Sequence, residues 1–531
     1  MKKILWISDY SSSGYTLVTN CLLKHIIDIY DVYLLVINTP QTRETLVKRI
    51  NSDIGIANDH IFSAPVIDKI DEYNTNVLVG ILNIPDILKN INPDVIFSIN
   101  DLQILNRQIK CIKTCTFWNG ITIAYTPIDA ENYPEYFFNI LRKFNHVITM
   151  NDASKKVLLK SKFYNHIYVL NHPIKDTFYQ IEDKSSPRRI FGDKVNDDSI
   201  LIFNANVNDK RKRLDLTIES FYMLYDKHSD NPQLQTKNVY LIFKTDTGGY
   251  FNMIKIIDDF DIKYNINLKN NIIFVTNQFT YEQLNQIYNC ADLYITTTSG
   301  EGWGLTAFEF LKLNVYTLVP NNMPYREFFN KELLYNTDLK PISQGRYMQE
   351  ELSGNILWCL LRGVKSFDFK ITRDEFISID SGDRLLPKFI ISPDTDNFQS
   401  FNSVITKLEE LGRSNRLPDK FLIFIKVDSA INCNFYKKIM TEIYHYDFNK
   451  LKYFTPLHNI YCVDYDSLDS SIVQVQIPVL DDLVDKMFYY ITNKEQCDED
   501  IKVYSANILK DLSNEKVGDT FKNILQDIIM E

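Results

Sequence analysis

The short stretch Ser299–Glu309 contains two glutamates, whose carboxylates can bind the hydroxyls of a ligand. Glu301 and Glu309 are separated by seven residues, and three glycines lie in the same stretch. Glycine lets the backbone approach a ligand closely, and the free N–H groups at the start of a helix favour phosphate. Two carboxylates beside an anion site suit a ligand that also presents hydroxyls, which means a sugar or a ribose.

The elements around this stretch place the two acids at a strand–loop–helix turn. Asp292–Thr297 is a short apolar and β-branched run that predicts a buried strand, and Leu305–Leu313 has helical spacing. Tyr316–Val319, followed by a proline, predicts the next strand. Glu301 then lies in the loop, and Glu309 lies on the first turns of the helix.

A run of four cations, residues 210–213, offers a positive partner for an anionic ligand. Such a run is usually a solvated surface. Here it follows a predicted strand, Ile200–Phe203, and precedes a predicted helix over Asp215–Leu224. It therefore falls at the carboxyl end of a buried strand, where a diphosphate would need it. We predict an anion-binding role for Arg211 and Lys212.

Polar residues also follow the strands of the N-terminal part. A strand over Ile4–Ser8 leads into a Ser-Ser-Ser-Gly turn that ends in Ser13 and Gly14, without the G-x-G-x-x-G pattern of dinucleotide-binding folds. This turn could give hydroxyls and N–H groups to a phosphate or sugar, or it could be an ordinary polar turn. Asn100 and Asp101 end a later strand, and Asp101 could belong to the site or cap the next helix.

Composition limits the class of protein. The 531 residues predict two or three domains, and 45% hydrophobic with 24% charged residues is typical of a soluble globular protein. A net charge of −10 argues against nucleic-acid binding through a global basic field. No apolar run reaches the length of a membrane span, and Asp9 interrupts the apolar start, so we expect no signal peptide. Eight scattered cysteines predict reduced thiols in the cytoplasm rather than a disulfide scaffold or a metal site.

The order of the predicted elements divides the chain into domains. Alternating strands and helices over 1–180 predict one α/β domain, and a polar linker leads into a second such domain over 181–335 and 452–531. The segment 336–451 predicts an insertion without a chemical motif, for which we favour a structural or partner-binding role. It contains a βαβ-like unit, predicted as a strand, a helix and a strand over Lys388–Ser392, Phe401–Leu411 and Phe421–Val427.

These residues and their spacing resemble retaining glycosyltransferases of the GT-B fold, in particular the large family-4 group that uses nucleotide-sugar donors. The two glutamates, with Gly-Trp-Gly-Leu between them, match the E-x7-E signature of that family. Lys212 and the Arg-Leu-Asp-Leu after it are similar to the family's Lys-Gly-x-Asp-Leu segment, and Asn171–Phe178 is similar to its segment at the domain junction. The resemblance covers residues 1–330 and, more weakly, 452–531.

The resemblance implies an α/β fold with two facing Rossmann-like domains and a cleft between them that holds the site. The segment 336–451, predicted from the sequence pattern, would then be an α/β insertion in the second domain. The donor would be a sugar linked to UDP or GDP. The acceptor hydroxyl would belong to a glycan, a lipid-linked acceptor or a protein. The sugar would be transferred with retention at the anomeric carbon, without a metal or other cofactor.

The resemblance also implies roles for individual residues. Glu309 would accept hydrogen bonds from ribose hydroxyls, and Glu301 would lie near the transferred sugar and favour positive charge at its anomeric carbon. Lys212, with Arg211, would stabilise the diphosphate leaving group. The other implied site residues are the loop backbone at Gly302, Trp303, Gly304 and Leu305, the base-binding Asn277 and Gln278, the facing Ser13 and Gly14, and Asp101 as an acid near the acceptor.

Three departures from the family pattern define the alternatives. Val207 stands where the family commonly has Arg, Arg213 replaces the Gly after the Lys, and Asp101 lies at a strand end where the first domain often has His. Val207 and the insertion leave open a non-catalytic protein that binds sugar nucleotides or serves in assembly. The third hypothesis is a sugar-nucleotide epimerase of the same fold, although we find no distinct acid and base to flank a sugar carbon.

Overall fold

The computed structural model contains two large parallel sheets. It describes residues 1–10, 14–37, 42–63, 83–130, 135–160, 163, 166–232, 234, 238–245, 247–341, 388–391, 420–425, 459–464 and 474–530. The strands of the first sheet are β1 (Lys3–Asp9), β2 (Asp31–Ile37), β3 (Ile61–Ser63), β4 (Val95–Ile99), β5 (Ile121–Tyr125), β6 (His146–Thr149) and β7 (His166–Val169). All of them pair in parallel, in the order β3-β2-β1-β4-β5-β6-β7.

The second sheet repeats this arrangement. Its strands are β8 (Ile200–Asn204), β9 (Val239–Phe243), β10 (Ile272–Phe274), β11 (Leu293–Ile295), β12 (Tyr316–Pro320) and β13 (Leu334–Tyr335). They also pair in parallel, in the order β10-β9-β8-β11-β12-β13. The strand order reverses beside β1 in the first sheet and beside β8 in the second. Such a reversal opens a crevice at the carboxyl ends of the strands.

Helices connect the strands of both sheets. The described α-helices are α1 (Gly14–Leu23), α2 (Arg43–Asp53), α3 (Ile84–Ile91), α4 (Leu102–Thr114), α5 (Glu135–Leu141), α6 (Asp152–Lys160), α7 (Ser185–Arg188), α8 (Leu214–His228), α9 (Met253–Tyr264), α10 (Tyr281–Asn289), α11 (Leu305–Lys312), α12 (Tyr325–Phe328), α13 (Leu480–Thr492), α14 (Lys494–Leu509) and α15 (Asn514–Met530). Strands β4, β8, β9 and β12 are buried at every residue, as parallel strands are when helices cover both faces of a sheet. The predicted fold class, two Rossmann-like α/β domains, is confirmed.

The C-terminal helices contact both domains. Helix α13 packs on α8 of the second domain, whereas α15 packs on α1 of the first. Phe521 of α15 lies edge-on to Trp6 and Phe97, with ring centroids 5.7 and 5.4 Å apart, and these two rings stack at 4.0 Å. Gly518 permits this close packing, because a Cβ there would lie 2.2 Å from the His25 ring.

An antiparallel pair joins the start of the predicted insertion to residues beyond its predicted end at 451. β14 (Thr337–Pro341) pairs with β18 (Gln474–Pro478). Between them lies a third, parallel sheet in the order β15-β16-β17, formed by Lys388–Ile391, Lys420–Ile425 and Asn459–Asp464. This sheet includes residues on both sides of position 451, and the domain boundaries stay a prediction. The predicted helix over 401–411 lies outside the described residues.

We expect Phe521→Ala to lower the free energy of unfolding by about 3–5 kcal/mol, because it removes a ring from the core of the first domain. Chemical denaturation followed by tryptophan fluorescence would measure the change. Met530→Ala is the control on the same helix, since this side chain is 78% exposed, and it should shift stability by less than about 0.5 kcal/mol. Equal effects of the two substitutions would contradict the docking of α15.

Candidate active site

The candidate site lies at the carboxyl edge of the second sheet, where the strand order reverses. β8 leads through residues 205–209 into a short 3₁₀ turn, Lys210–Lys212, and β11 leads through residues 296–304 into α11. Because β8 and β11 are neighbours in the sheet, the two loops that follow them meet. The fold therefore brings the basic run to Glu301.

Hydrogen bonds hold these two loops together. The N–H of Ser299 donates to the carbonyl of Arg211 at 2.9 Å. The hydroxyl of Thr297 donates to the carbonyl of Arg213 at 2.7 Å. Since the loop after β11 satisfies the carbonyls of the basic turn, the cationic side chains of that turn keep a fixed position relative to Glu301.

Glu301 is buried between two cations. Its side chain is 7% exposed, one carboxylate oxygen contacts Nζ of Lys212, and the other lies 2.9 Å from Nη1 of Arg211. Arg211 also donates to the carbonyl of Gly300. Burial by itself would raise the pKa of Glu301, but the charges of Arg211 and Lys212 outweigh burial and lower this pKa to about 2. Glu301 is therefore ionised at neutral pH.

Glu301 is the carboxylate that pairs with both cations, and Asp129 and Asp209 add negative charge near Arg211. Burial lowers the pKa of Lys212, although the charge of Glu301 partly offsets that effect. The charge of Glu301 raises the pKa of Arg211. Partly desolvated cations attract an anion more strongly than exposed cations do. The arrangement is suited to a phosphate or diphosphate group.

Glu309 lies on α11 in a different electrostatic environment. Burial raises the pKa of Glu309 to about 7, and the charge of Lys175 lowers it only in part. Nζ of Lys175 lies 3.0 Å from the centre of the Tyr281 ring, and burial lowers the pKa of Lys175 to about 8. Both groups change charge near neutral pH, so this part of the site responds to pH.

The glycine-rich loop is pressed against the first domain. A Cβ at Gly302 would lie 2.3 Å from Cβ of Pro127, and a Cβ at Gly300 would lie 2.4 Å from the carbonyl oxygen of Asp129. Nδ2 of Asn151 donates to the carbonyl of Gly302 at 2.8 Å. Glycine is needed at positions 300 and 302 because any side chain would push the two domains apart.

Two further residues shape the loop from inside the second domain. Gly304 has a φ of 85°, which favours glycine, and a Cβ there would lie 2.4 Å from the hydroxyl of Tyr325. The buried Trp303 ring stacks on Phe308 with centroids 4.8 Å apart and lies 5.6 Å from the ring of His172. The Trp303 side chain is thus part of the core, and its backbone is the part that can meet a ligand.

Gly14 and Asp101 lie on the first-domain side of the cleft. A Cβ at Gly14 would lie 2.8 Å from the side chain of Leu305. Asp101 directly precedes α4 but makes no capping hydrogen bond with its side chain; it accepts one from the Tyr15 hydroxyl at 2.6 Å. Burial raises the pKa of Asp101, and the Tyr15 hydrogen bond and the charge of Arg211 across the cleft partly offset this effect. The structure therefore brings Asp101 into electrostatic range of the cation cluster.

Other predicted site residues are placed less directly. Ser13 lies outside the described residues. Asn277 and Gln278 are exposed on the loop after β10, which β9 separates from β8, and their base-binding role stays a prediction. Val207 is 75% exposed, so its side chain adds nothing to the cluster.

Lys175, Tyr281 and Tyr15 are residues of this site that sequence reasoning missed. Tyr281 begins α10, directly after a capping box formed by Thr280 and Gln283. Lys175 follows the Asn-His-Pro-Ile segment of the predicted domain junction. No spacing in the sequence connects these residues with Glu309 or Asp101, because contacts between distant elements bring them together.

Within the described ranges, no group of three or more His, Cys, Asp or Glu side chains is arranged to hold a metal ion. The helices in the same ranges include none that is long and apolar enough to cross a membrane.

Comparisons with known proteins give likenesses of fold. No protein-family model matches the chain, and a search of curated proteins found no match either. Among solved structures, HepE from Anabaena in complex with UDP has a TM-score of 0.47 and 13% identity, over 64% of this chain and 85% of that chain. Sucrose-phosphate synthase from Thermosynechococcus elongatus has a TM-score of 0.47 and 12% identity, over 63% and 86%. An E. coli trehalose-6-phosphate structure bound with UDP-2-fluoro glucose has a TM-score of 0.46 and 10% identity, over 72% of this chain and 94% of that chain. At such identities the chemistry has to be decided by the residues of the site.

We expect Glu301→Gln to lower the free energy of unfolding at pH 7 by about 3 kcal/mol, because the pKa of Glu301 in the folded protein lies near 2, below its ordinary value of 4.5. The stabilisation is present above pH 4.5 and is lost as the pH falls through about 2. Urea denaturation at pH 7 and pH 3 should show a difference that shrinks in acid. Glu332→Gln, at a side chain that is 55% exposed, is the control. Equal stability of wild type and Glu301→Gln at pH 7 would contradict the burial of this charge.

Proposed function

We propose that the protein transfers a sugar from a nucleoside diphosphate donor to an acceptor hydroxyl, with retention at the anomeric carbon. The observation that carries this proposal is the pairing of buried Glu301 with Arg211 and Lys212, at the point where the glycine-rich loop meets the first domain. A cation pair and a fixed carboxylate side by side suit a ligand that is anionic at one end and rich in hydroxyls at the other.

Arg211 and Lys212 would bind the diphosphate of the donor. Breaking the glycosidic bond increases the negative charge on this leaving group, and preorganised cations stabilise that charge without reorganising during the reaction. Because these side chains supply the neutralisation, we propose that transfer does not depend on a divalent metal ion. The exposed Val207 takes no part, and the role of the family's Arg passes to Arg211.

Glu301 would act as a fixed negative charge. A carboxylate with a pKa near 2 stays ionised at neutral pH, so it is a poor general acid and a weak general base. It can accept hydrogen bonds from sugar hydroxyls and stabilise positive charge that develops at the anomeric carbon. This property of Glu301 suits charge stabilisation in a transferase better than the proton transfers that an epimerase needs.

Glu309 would bind the ribose of the donor. An ionised carboxylate can accept hydrogen bonds from both hydroxyls of a vicinal diol. Its position on α11, beyond the glycine-rich loop, separates this contact from the cation cluster. We propose UDP- or GDP-linked sugars as donors.

The rival proposal is a protein that binds a sugar nucleotide without transferring the sugar. It shares the donor site, so the two proposals differ only in turnover. Calorimetry that detects donor binding, together with neither hydrolysis nor transfer across a broad panel of glycan, lipid-linked and protein acceptors, would favour the rival.

We expect Lys212→Ala to lower turnover on the order of 10²–10³-fold, because one preorganised charge is lost from the leaving-group side. Release of the nucleoside diphosphate from the best donor would measure the rate. Lys255→Ala, at an exposed residue of α9, is the control and should keep the wild-type rate. A Lys212→Ala variant as fast as wild type would disprove the assignment.

We expect the affinity for the donor to decrease when the pH is lowered from 7, because the pKa of Glu309 is raised to about 7. The protonated acid is a poorer acceptor of hydrogen bonds from the ribose hydroxyls. The dissociation constant should rise by up to about tenfold per pH unit on the acid side and then level off near the value for Glu309→Gln. Calorimetry between pH 5.5 and 8 would measure the effect. Glu309→Gln should bind the donor more weakly, without the loss of affinity in acid that we call the acid limb. Glu282→Gln, at an exposed residue of α10, should keep the acid limb. The same acid limb in Glu309→Gln would contradict the assignment.

A further inference from the structure

The N-terminus of α6 in the first domain is capped by residues of both domains. The first N–H groups of a helix have no partners within the helix. Here the N–H of Ser154 donates to Oδ1 of Asn151, directly before the helix, at 2.8 Å. The N–H groups of Asp152 and Ala153 donate to the two carboxylate oxygens of Glu327 at 3.2 and 2.8 Å. Glu327 belongs to α12 of the second domain, and a carboxylate at a helix N-terminus is doubly favourable, through hydrogen bonds and through the helix dipole.

Asn151 connects this helix end with the glycine-rich loop. While its oxygen caps α6, its Nδ2 donates to the carbonyl of Gly302 at 2.8 Å. The side chain is fully buried, so water does not replace a lost partner without further opening of the interface. Gly302 directly follows Glu301, and one amide therefore links the first domain to the loop that carries the buried acid.

Helix α12, which carries Glu327, is held firmly in the second domain. The ring of Tyr325 packs against Gly304 of the glycine-rich loop. Tyr504 of α14 donates its hydroxyl hydrogen to the carbonyl of Phe328 and accepts a hydrogen bond from the N–H of Asn330 at 2.9 Å. Glu327 and the glycine-rich loop thus belong to one packed unit, which meets α6 as a whole.

We infer that Asn151 and Glu327 are positioning residues that form an interdomain joint and couple closure of the cleft to the position of the Glu301 loop. Opening the cleft breaks three hydrogen bonds of this joint together, two at Glu327 and one at Gly302. It also removes the first-domain wall against which the loop is pressed. Neither residue contacts the cation cluster directly, so both act through the loop.

The coupling to ligand rests on the proposed function, whereas the joint itself does not. A donor that contacts both walls binds the closed form, and its apparent affinity falls by the fraction of molecules that are open. Weakening the joint should therefore weaken donor binding without removing any group that touches the donor.

The joint can be tested by hydrogen–deuterium exchange on the full-length protein. In Glu327→Ala the amides of residues 152 and 153 should exchange on the order of tenfold faster, because their acceptor is gone. Small-angle scattering should show a larger radius of gyration. Glu332→Ala removes an exposed carboxylate of the same domain and should change neither the exchange at residues 152 and 153 nor the radius of gyration. Wild-type exchange at 152 and 153 in Glu327→Ala would overturn the joint.

Asn151→Asp tests the hydrogen bond from Nδ2 of Asn151 to the carbonyl of Gly302. Aspartate keeps the oxygen that caps Ser154 but places an oxygen opposite the carbonyl of Gly302, so the amide of residue 154 should exchange as in wild type. The amides of residues 152 and 153 should exchange faster, because opening of the cleft takes Glu327 away from them. The affinity for UDP or GDP, measured by calorimetry, should fall on the order of tenfold, and the radius of gyration should increase. An unchanged nucleotide affinity and an unchanged radius of gyration in Asn151→Asp would contradict the proposed coupling between cleft closure and the Glu301 loop. If wild type binds neither nucleotide, the proposed function fails, while exchange and scattering still decide whether the joint holds the domains.

Discussion

Neutralisation of one buried carboxylate by two cations is the interaction on which the rest of the site depends. An unpaired Glu301 would be strongly unfavourable in its buried position, and its partners Arg211 and Lys212 come from a different loop. The two loops must therefore meet, which requires β8 and β11 to be neighbours. The same strand order opens the crevice at the edge of the sheet. The neutralisation of Glu301 and the reversal of strand order thus both place the site at the carboxyl edge of the second sheet, between β8 and β11.

Close approach of the two domains is the second constraint. Gly300 and Gly302 touch first-domain backbone and side-chain atoms that leave no room for a Cβ. This contact covers the loop that carries Glu301, whose side chain is 7% exposed, and a lower local dielectric strengthens the attraction between charges. It also brings Asp101 and Tyr15 of the first domain into the electrostatic field of Arg211.

The two glutamates of the motif have opposite electrostatic environments, although seven residues separate them in the sequence. Glu301 has two cationic partners and a pKa near 2, whereas burial dominates at Glu309 and raises its pKa to about 7. One is a permanent charge, and the other titrates in the physiological range. Their chemical difference arises from the surroundings and not from the residue type.

The sequence alone determined the strands at β1, β8, β11 and β12, the helices α8 and α11, and the strand-end positions of Glu301 and the basic run, because the spacing of apolar residues is a local property of the chain. It also indicated two α/β domains. Only the tertiary structure decided which groups act on each other, such as the charge of Lys175 on Glu309, and Glu327 on the N-terminus of α6. It also decided how each acid titrates. Burial and distance set both outcomes, and they depend on elements that lie far apart in the sequence and that no spacing relates.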